Sequence, residues 1–265
     1  LILATVLAPP SAAKTVYVNQ SAPDPTHDGQ TWATAYSRVQ DAVATADPGD
    51  EVWVAKGTYK EVLTLISDIA LYGGFAGTET ERDQRDWTSN STTLDGEQYS
   101  AVVTSAATVV DGFTVWYGKS GKYGILVLGG VTTVAHCTVR IHDVGDLTAG
   151  VYVLGGTANV NDCLLTGNLD AVFVDGGAAT VTRCTVYANY YGLYLNRGTL
   201  DAVSCTIRQH VFDGICVVRG TATVSNCTVC KSQTNGVWLF GGVANVTNCI
   251  INSNTVGIRQ GSVIA

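Results

Sequence analysis

VSCTIRQHVFDGICVVRGTATVSNCTV, residues 203–229, holds one whole period of this chain and the start of the next. It reads as an extended piece after Cys205, a polar bend, an alternating run GICVV, a Gly turn, a second alternating run TATVS, and then Cys227 in the place of Cys205. The same text recurs around Cys137, Cys163, Cys184, Cys205, Cys227 and Cys249, at separations of 26, 21, 21, 22 and 22 residues. Alternation with period two predicts strands, and no stretch here carries the 3.6-residue period of a helix. Three short strands per period of 21–22 residues predict an all-β, single-stranded parallel β-helix. Each period makes one coil of a three-sheet solenoid, and coils stack at the ~4.8 Å strand spacing.

The alternation assigns faces. Val151, Val172, Leu193, Ile215 and Val237 point inward from the first strand, as do Val153, Val174, Leu195, Val217 and Leu239. Ala158 and Val160, with their equivalents up to Ala244 and Val246, do so from the second strand. Val139, Leu165, Val186, Ile207, Val229 and Ile251 close the third inner face. His142, Asn168, Asn189, His210, Ser232 and Asn254 share a turn, where Asn side chains bond the coils above and below. The six period-marking cysteines form a structural ladder. In-register parallel strands aim their Cβ atoms the same way, which strains a disulfide dihedral, so the ladder is expected as buried reduced thiols. Cys216 and Cys230 fall in outward columns.

Towards the N-terminus the pattern changes. Residues 1–13, LILATVLAPPSAA, are apolar and end in small residues, as a secretory signal does, or form an assembly segment. Residues 14–50 supply a strand and a helix from about Ser37 to Ala46, which would cover the open edge of the first coil. The solenoid then occupies 51–265, with a surface loop at about 75–92 and no evident cap after the last coil. KTVYVNQSAPDPTHDGQTWATAYSRVQDAVATADPGDEVWVAKGTYKE, residues 14–61, followed by LYGGFAGTETERDQRDW, residues 71–87, resembles the start of secreted bacterial right-handed parallel β-helix repeat proteins of the pectate-lyase-like superfamily. That resemblance implies a right-handed solenoid exported to the medium or the cell surface. It implies little about activity, because the superfamily spans lyases, hydrolases and adhesins.

Composition excludes several functions. Twenty-two acidic against 15 basic residues give a net charge of −7, and no Lys/Arg run offers a local phosphate-binding patch, so nucleic acid is not an expected partner. No apolar run reaches the ~20 residues of a membrane span.

Two functional readings follow. The first is a non-catalytic structural or adhesive β-helix at the cell surface, whose partner is another copy of itself, giving oligomers or filaments, or a surface polysaccharide. Its expected interface is the outward side of the first strand, Leu126, Tyr152, Phe173, Tyr194, Trp238 and Phe240. The second is a polysaccharide lyase or other carbohydrate-active enzyme acting on an acidic polysaccharide. Its candidate residues are Arg197 and Arg219, in one turn column, beside Asp175; only this alternative calls for a cofactor, Ca²⁺. The acids Asp162, Asp170, Asp175, Asp201 and Asp213 are expected to scatter over different faces, and no metal site is expected. His142 with Asp143 and Asp146 sits in the one 26-residue period, where a loop could hold a further site.

Overall fold

A computed structural model describes residues 13–65, 68–96, 101–117, 123–141 and 149–261. His142, Asp143, Asp146 and all but the last residue of the leader-like segment lie outside the described residues. Every strand pairing is parallel and joins one coil to the next, in three ladders. The first runs from Leu63–Thr64 through Ala101–Ala106, Tyr123–Gly129 and Ala149–Val153 to Asn235–Leu239 and Val256–Gln260. The second runs from Thr15–Val18 through Glu51–Ala55 and Ala70–Phe75 to Val243–Thr247. The third, of nine strands among the described residues, runs from Gly57–Tyr59 to Ile250–Asn252.

The inward columns meet in one core. Val151, Val172, Leu193, Ile215 and Val237 are all fully buried, as are Val139, Leu165, Val186, Ile207 and Val229 on the third face. Each such side chain contributes roughly 1.5–3 kcal/mol of burial before chain entropy is subtracted.

Two of the three corners share one device. A single residue in the left-handed region turns the chain, and the side chain after it points inward and caps the previous coil. Between second and third strands the bend residues are His136, Asp162, Arg183, Ser204, Asn226 and Asn248, with φ between 49° and 56°. The residue that follows each of them is a ladder cysteine. The Cys137 N–H donates to Cys163 Sγ at 3.4 Å and the Cys163 N–H to Cys184 Sγ at 3.4 Å, and the pattern recurs at Cys205 and Cys227. All eight cysteines are free thiols. After the third strand the bend residues include Ala188, Gln209, Lys231 and Ser253. Here the Asn168 N–H donates to Asn189 Oδ1 at 2.9 Å, and the Ser232 N–H to Asn254 Oδ1 at 2.9 Å. At most of these bends the strain is offset because the bend frees an inward side chain to satisfy a buried backbone donor; Ser232, whose hydroxyl is buried without a partner, departs from the pattern.

The helix α1 spans Val39–Thr45, shorter at both ends than the sequence suggests, and buries Val39, Ala42 and Val43. Its start is capped from a distance: Glu61, itself buried, accepts the N–H groups of Val39 at 2.8 Å and Gln40 at 3.1 Å. The surface loop leaves the solenoid after Phe75 and returns at Thr92. Gly74 at φ 92° permits it to lie flat, since a Cβ there would meet Trp87 backbone at 2.7 Å.

Candidate functional site

The outward side of the first ladder carries the site. The column Tyr123, Ala149, Asp170, Tyr191 runs through four successive coils in register. Two small side chains between two tyrosines leave a notch. It is a cavity of about 210 Å³, lined among the described residues by Tyr123, Ala149, Tyr152, Asp170, Phe173 and Asp175. That is below the ~300–1,000 Å³ of a cleft for a drug-sized ligand, so it fits one small group rather than a length of chain.

The two carboxylates of the notch stand in different surroundings. Asp175 is held by three groups: Asn196 Nδ2 donates to its carboxylate at 2.7 Å, Arg197 Nε pairs with the carboxylate at 3.0 Å and also donates to the Asp175 carbonyl, and the Tyr152 hydroxyl donates at 3.3 Å. Asp170 is 8% exposed, and its Oδ1 is buried without a hydrogen-bond partner. Burial alone pushes its carboxyl up to about 7. Burial, then the Asp175 charge, also raises the Tyr152 phenol to about 12, so it stays a donor.

The expected scatter of acids is therefore corrected for this pair: Asp170 and Asp175 open and close one strand segment and face one cavity. A register shift after Val174 places Asp175 opposite Arg197, one residue later than strict periodicity predicts. Arg197 and Arg219 come together as their column implies, but both are engaged. Arg197 bonds Asp175, and Arg219 donates to Asn196 Oδ1 at 3.1 Å. Asp162 pairs with Arg183 on another face, and Asp213 accepts from Asn235 inside the turn. Among the described residues, no three His, Cys, Asp or Glu side chains are grouped to hold a metal ion.

The apolar interface residues divide in two. Tyr123 stacks on Tyr152 at 4.5 Å, Tyr152 on Phe173 at 5.1 Å, and Phe173 meets Tyr194 edge-on at 5.2 Å. Stacking along the ladder spends the ring faces on each other and leaves edges at the notch. Cys216 then interrupts the run. Expected to face outward, it is fully buried, and burial pushes its thiol up to about 12. Trp238 and Phe240 form a separate edge-to-face pair at 5.5 Å, with Phe240 exposed and Leu126 half-buried.

A second cavity, of about 290 Å³, lies under the surface loop, lined by residues that include Trp87, Ser91, Thr114, His136 and Thr138. Asp111 is its anchor, pairing with Arg85 at 2.8 Å and His136 Nδ1 at 2.9 Å. Periodicity gave no sign of this grouping, because the loop residues stand outside the repeat.

The description "right handed beta helix region" matches residues 80–229, more than half of the chain. The chain belongs to the right-handed β-helix family. Among solved structures, this β-helix is similar to the pectin methylesterase from Aspergillus niger, at 18% identity and TM-score 0.54, covering 96% of this chain and 86% of the other. It is also similar to the pectin methylesterase from carrot, at 14% identity and TM-score 0.55, covering 98% and 86%. At these identities the likeness shows the fold alone. No curated protein matches the sequence. Among the described residues of the β-helix, no helix is long and apolar enough to cross a membrane.

Proposed function

We propose that this is an extracellular, non-catalytic β-helix that binds a polysaccharide along the outward side of its first ladder, seating one substituent of the chain in the Asp170 notch. The observation that carries the reading is the notch itself, where two carboxylates and a tyrosine hydroxyl line an apolar recess on an otherwise regular solenoid. Concave, mainly apolar sites with a few convergent polar groups are the usual form of a small-ligand site. The solved pectin methylesterases act on a polysaccharide, and a ligand of that class on this fold agrees with them. The lyase alternative is less well supported, because Arg197 and Arg219 are bonded to Asp175 and Asn196 rather than converging on an open position.

The test is a polysaccharide array followed by calorimetry, comparing the wild type with Ala149→Phe. This substitution fills the recess and removes none of its polar groups. Binding to at least one polysaccharide, weakened tenfold or more by the substitution, is expected. Equal binding by both proteins would place the ligand elsewhere.

Self-association is a second reading, favoured by Val243 and Ile250, which are 65% and 58% exposed on the second and third ladders. Chromatography with light scattering over a hundredfold concentration range checks it: growth in mass that Ile250→Lys abolishes is expected, and a constant monomer mass rejects it.

A further inference from the structure

We propose that the notch recognises an acetyl substituent of a glycan, with Asp170 as a neutral acid donating a hydrogen bond to the acetyl carbonyl. This rests on the reading that a polysaccharide occupies the notch. The walls are apolar, made of the Ala149 methyl, the edges of Tyr123 and Tyr152, and Phe173. A sugar ring seated there would bury several hydroxyls against carbon, and each buried hydroxyl without a partner costs free energy. An acetyl group presents one methyl and one strong acceptor, which matches largely apolar walls with one unpartnered carboxyl, since Asp175 is already held by Asn196, Arg197 and Tyr152. Asp170 lines the cavity, and its Oδ1 is buried without a partner, the one that a ligand carbonyl would supply.

The neighbours of Asp170 favour the neutral acid. Asp175 is the carboxylate that shares the cavity, and its charge is met by Arg197. Tyr123 and Tyr152 stand on the preceding side with raised phenols, and Tyr191 and Tyr194 on the following coil are raised as well. Asp213 and the Cys216 thiol act on the same region and add no positive charge. With burial raising its carboxyl to about 7, Asp170 carries its proton below neutrality and loses it above. Ionised, it would oppose a carbonyl oxygen. A bound acetyl carbonyl therefore holds the proton in place, and binding takes up protons near pH 7.

The chemistry is shared by N-acetyl and O-acetyl groups, and the experiment separates them. Chitin oligosaccharides and acetylated xylan are the probes, each set against its deacetylated form, by calorimetry at pH 5.5 and 8.5. One acetylated probe is expected to bind, at least tenfold more weakly after deacetylation and at least tenfold more weakly at pH 8.5. Asp170→Asn, a permanent donor of the same shape, should bind alike at both pH values, and Asp170→Ala weakly at both. Failure of both acetylated probes, equal binding of a deacetylated form, or a pH response unchanged in Asp170→Asn would overturn the proposal. If another polysaccharide binds and Ala149→Phe still weakens it, the notch remains the binding site and only the acetyl assignment falls.

Discussion

His210 occupies a column that Asn168, Asn189 and Asn254 hold in other coils, and it accepts the Asn189 N–H through Nδ1 at 3.3 Å. Burial lowers its ring to about 4, so it is neutral when folded. An unfolded histidine takes its proton near 6.5, so the stability that neutral His210 supports is complete above that value and is lost as pH falls towards 4. His210→Asn should remove that acid sensitivity, seen as urea midpoints that separate from the wild type between pH 6.5 and 4. Asp170 carries the opposite sign. Its folded value near 7 lies above an unfolded carboxylate, so stability is greatest at low pH and falls as pH rises from about 4 through 7, by on the order of a few kcal/mol. Asp170→Asn is expected to be more stable than the wild type at pH 8 and little different at pH 4; equal midpoints at pH 8 would show that the carboxylate is relieved in solution. The asparagine column was legible in the sequence because it recurs. The state of Asp170 was not, because it depends on Ala149 and Phe173 beside it, and a single coil does not reveal what its neighbours leave uncovered.

Among the elements, the cysteine ladder joins coils through backbone donors rather than covalent bonds. Cys184→Ala would leave the Cys163 N–H buried without its sulfur acceptor and open a small void, at a cost of about 1–3 kcal/mol. Cys184→Ser restores an acceptor and should recover part of that loss; equal denaturation midpoints for Ala and Ser would show that the sulfur acts only by volume. The surface loop is tied down by Arg85, which pairs with Asp111 and donates to the carbonyls of Gly73 and Asp111 at 3.1 and 3.2 Å. It also lies over the Tyr72 and Trp87 rings. Arg85→Ala strands a largely buried carboxylate beside His136. Limited proteolysis should then cut within 76–91 at least tenfold faster than in the wild type, with the strands after Cys137 still resistant. The ladder could be read from spacing, since a fixed period places identical residues one above another. The loop anchor could not, since Arg85 and Asp111 lie 26 residues apart in a region without regular repeats.

At the scale of the molecule, each coil contacts its neighbours through three ladders, so stability accumulates coil by coil. The sequence alone determined the solenoid, its three faces, its inward columns, the polar and thiol ladders at two corners and the helix over the first coil. Periodicity carries this information, because a parallel stack repeats the same local environment wherever the same residue recurs. The right hand follows from membership of the family. Only the tertiary structure decided where the regular surface is broken. The notch exists because Ala149 and Asp170 fall between Tyr123 and Tyr191, and a register shift brings Asp175 to its rim. Burial of Cys216, the pairing of both arginines and the anchoring of the loop were decided in the same way. Each depends on volumes and partners contributed by other coils, and alternation within one strand says which way a side chain points but not what it meets.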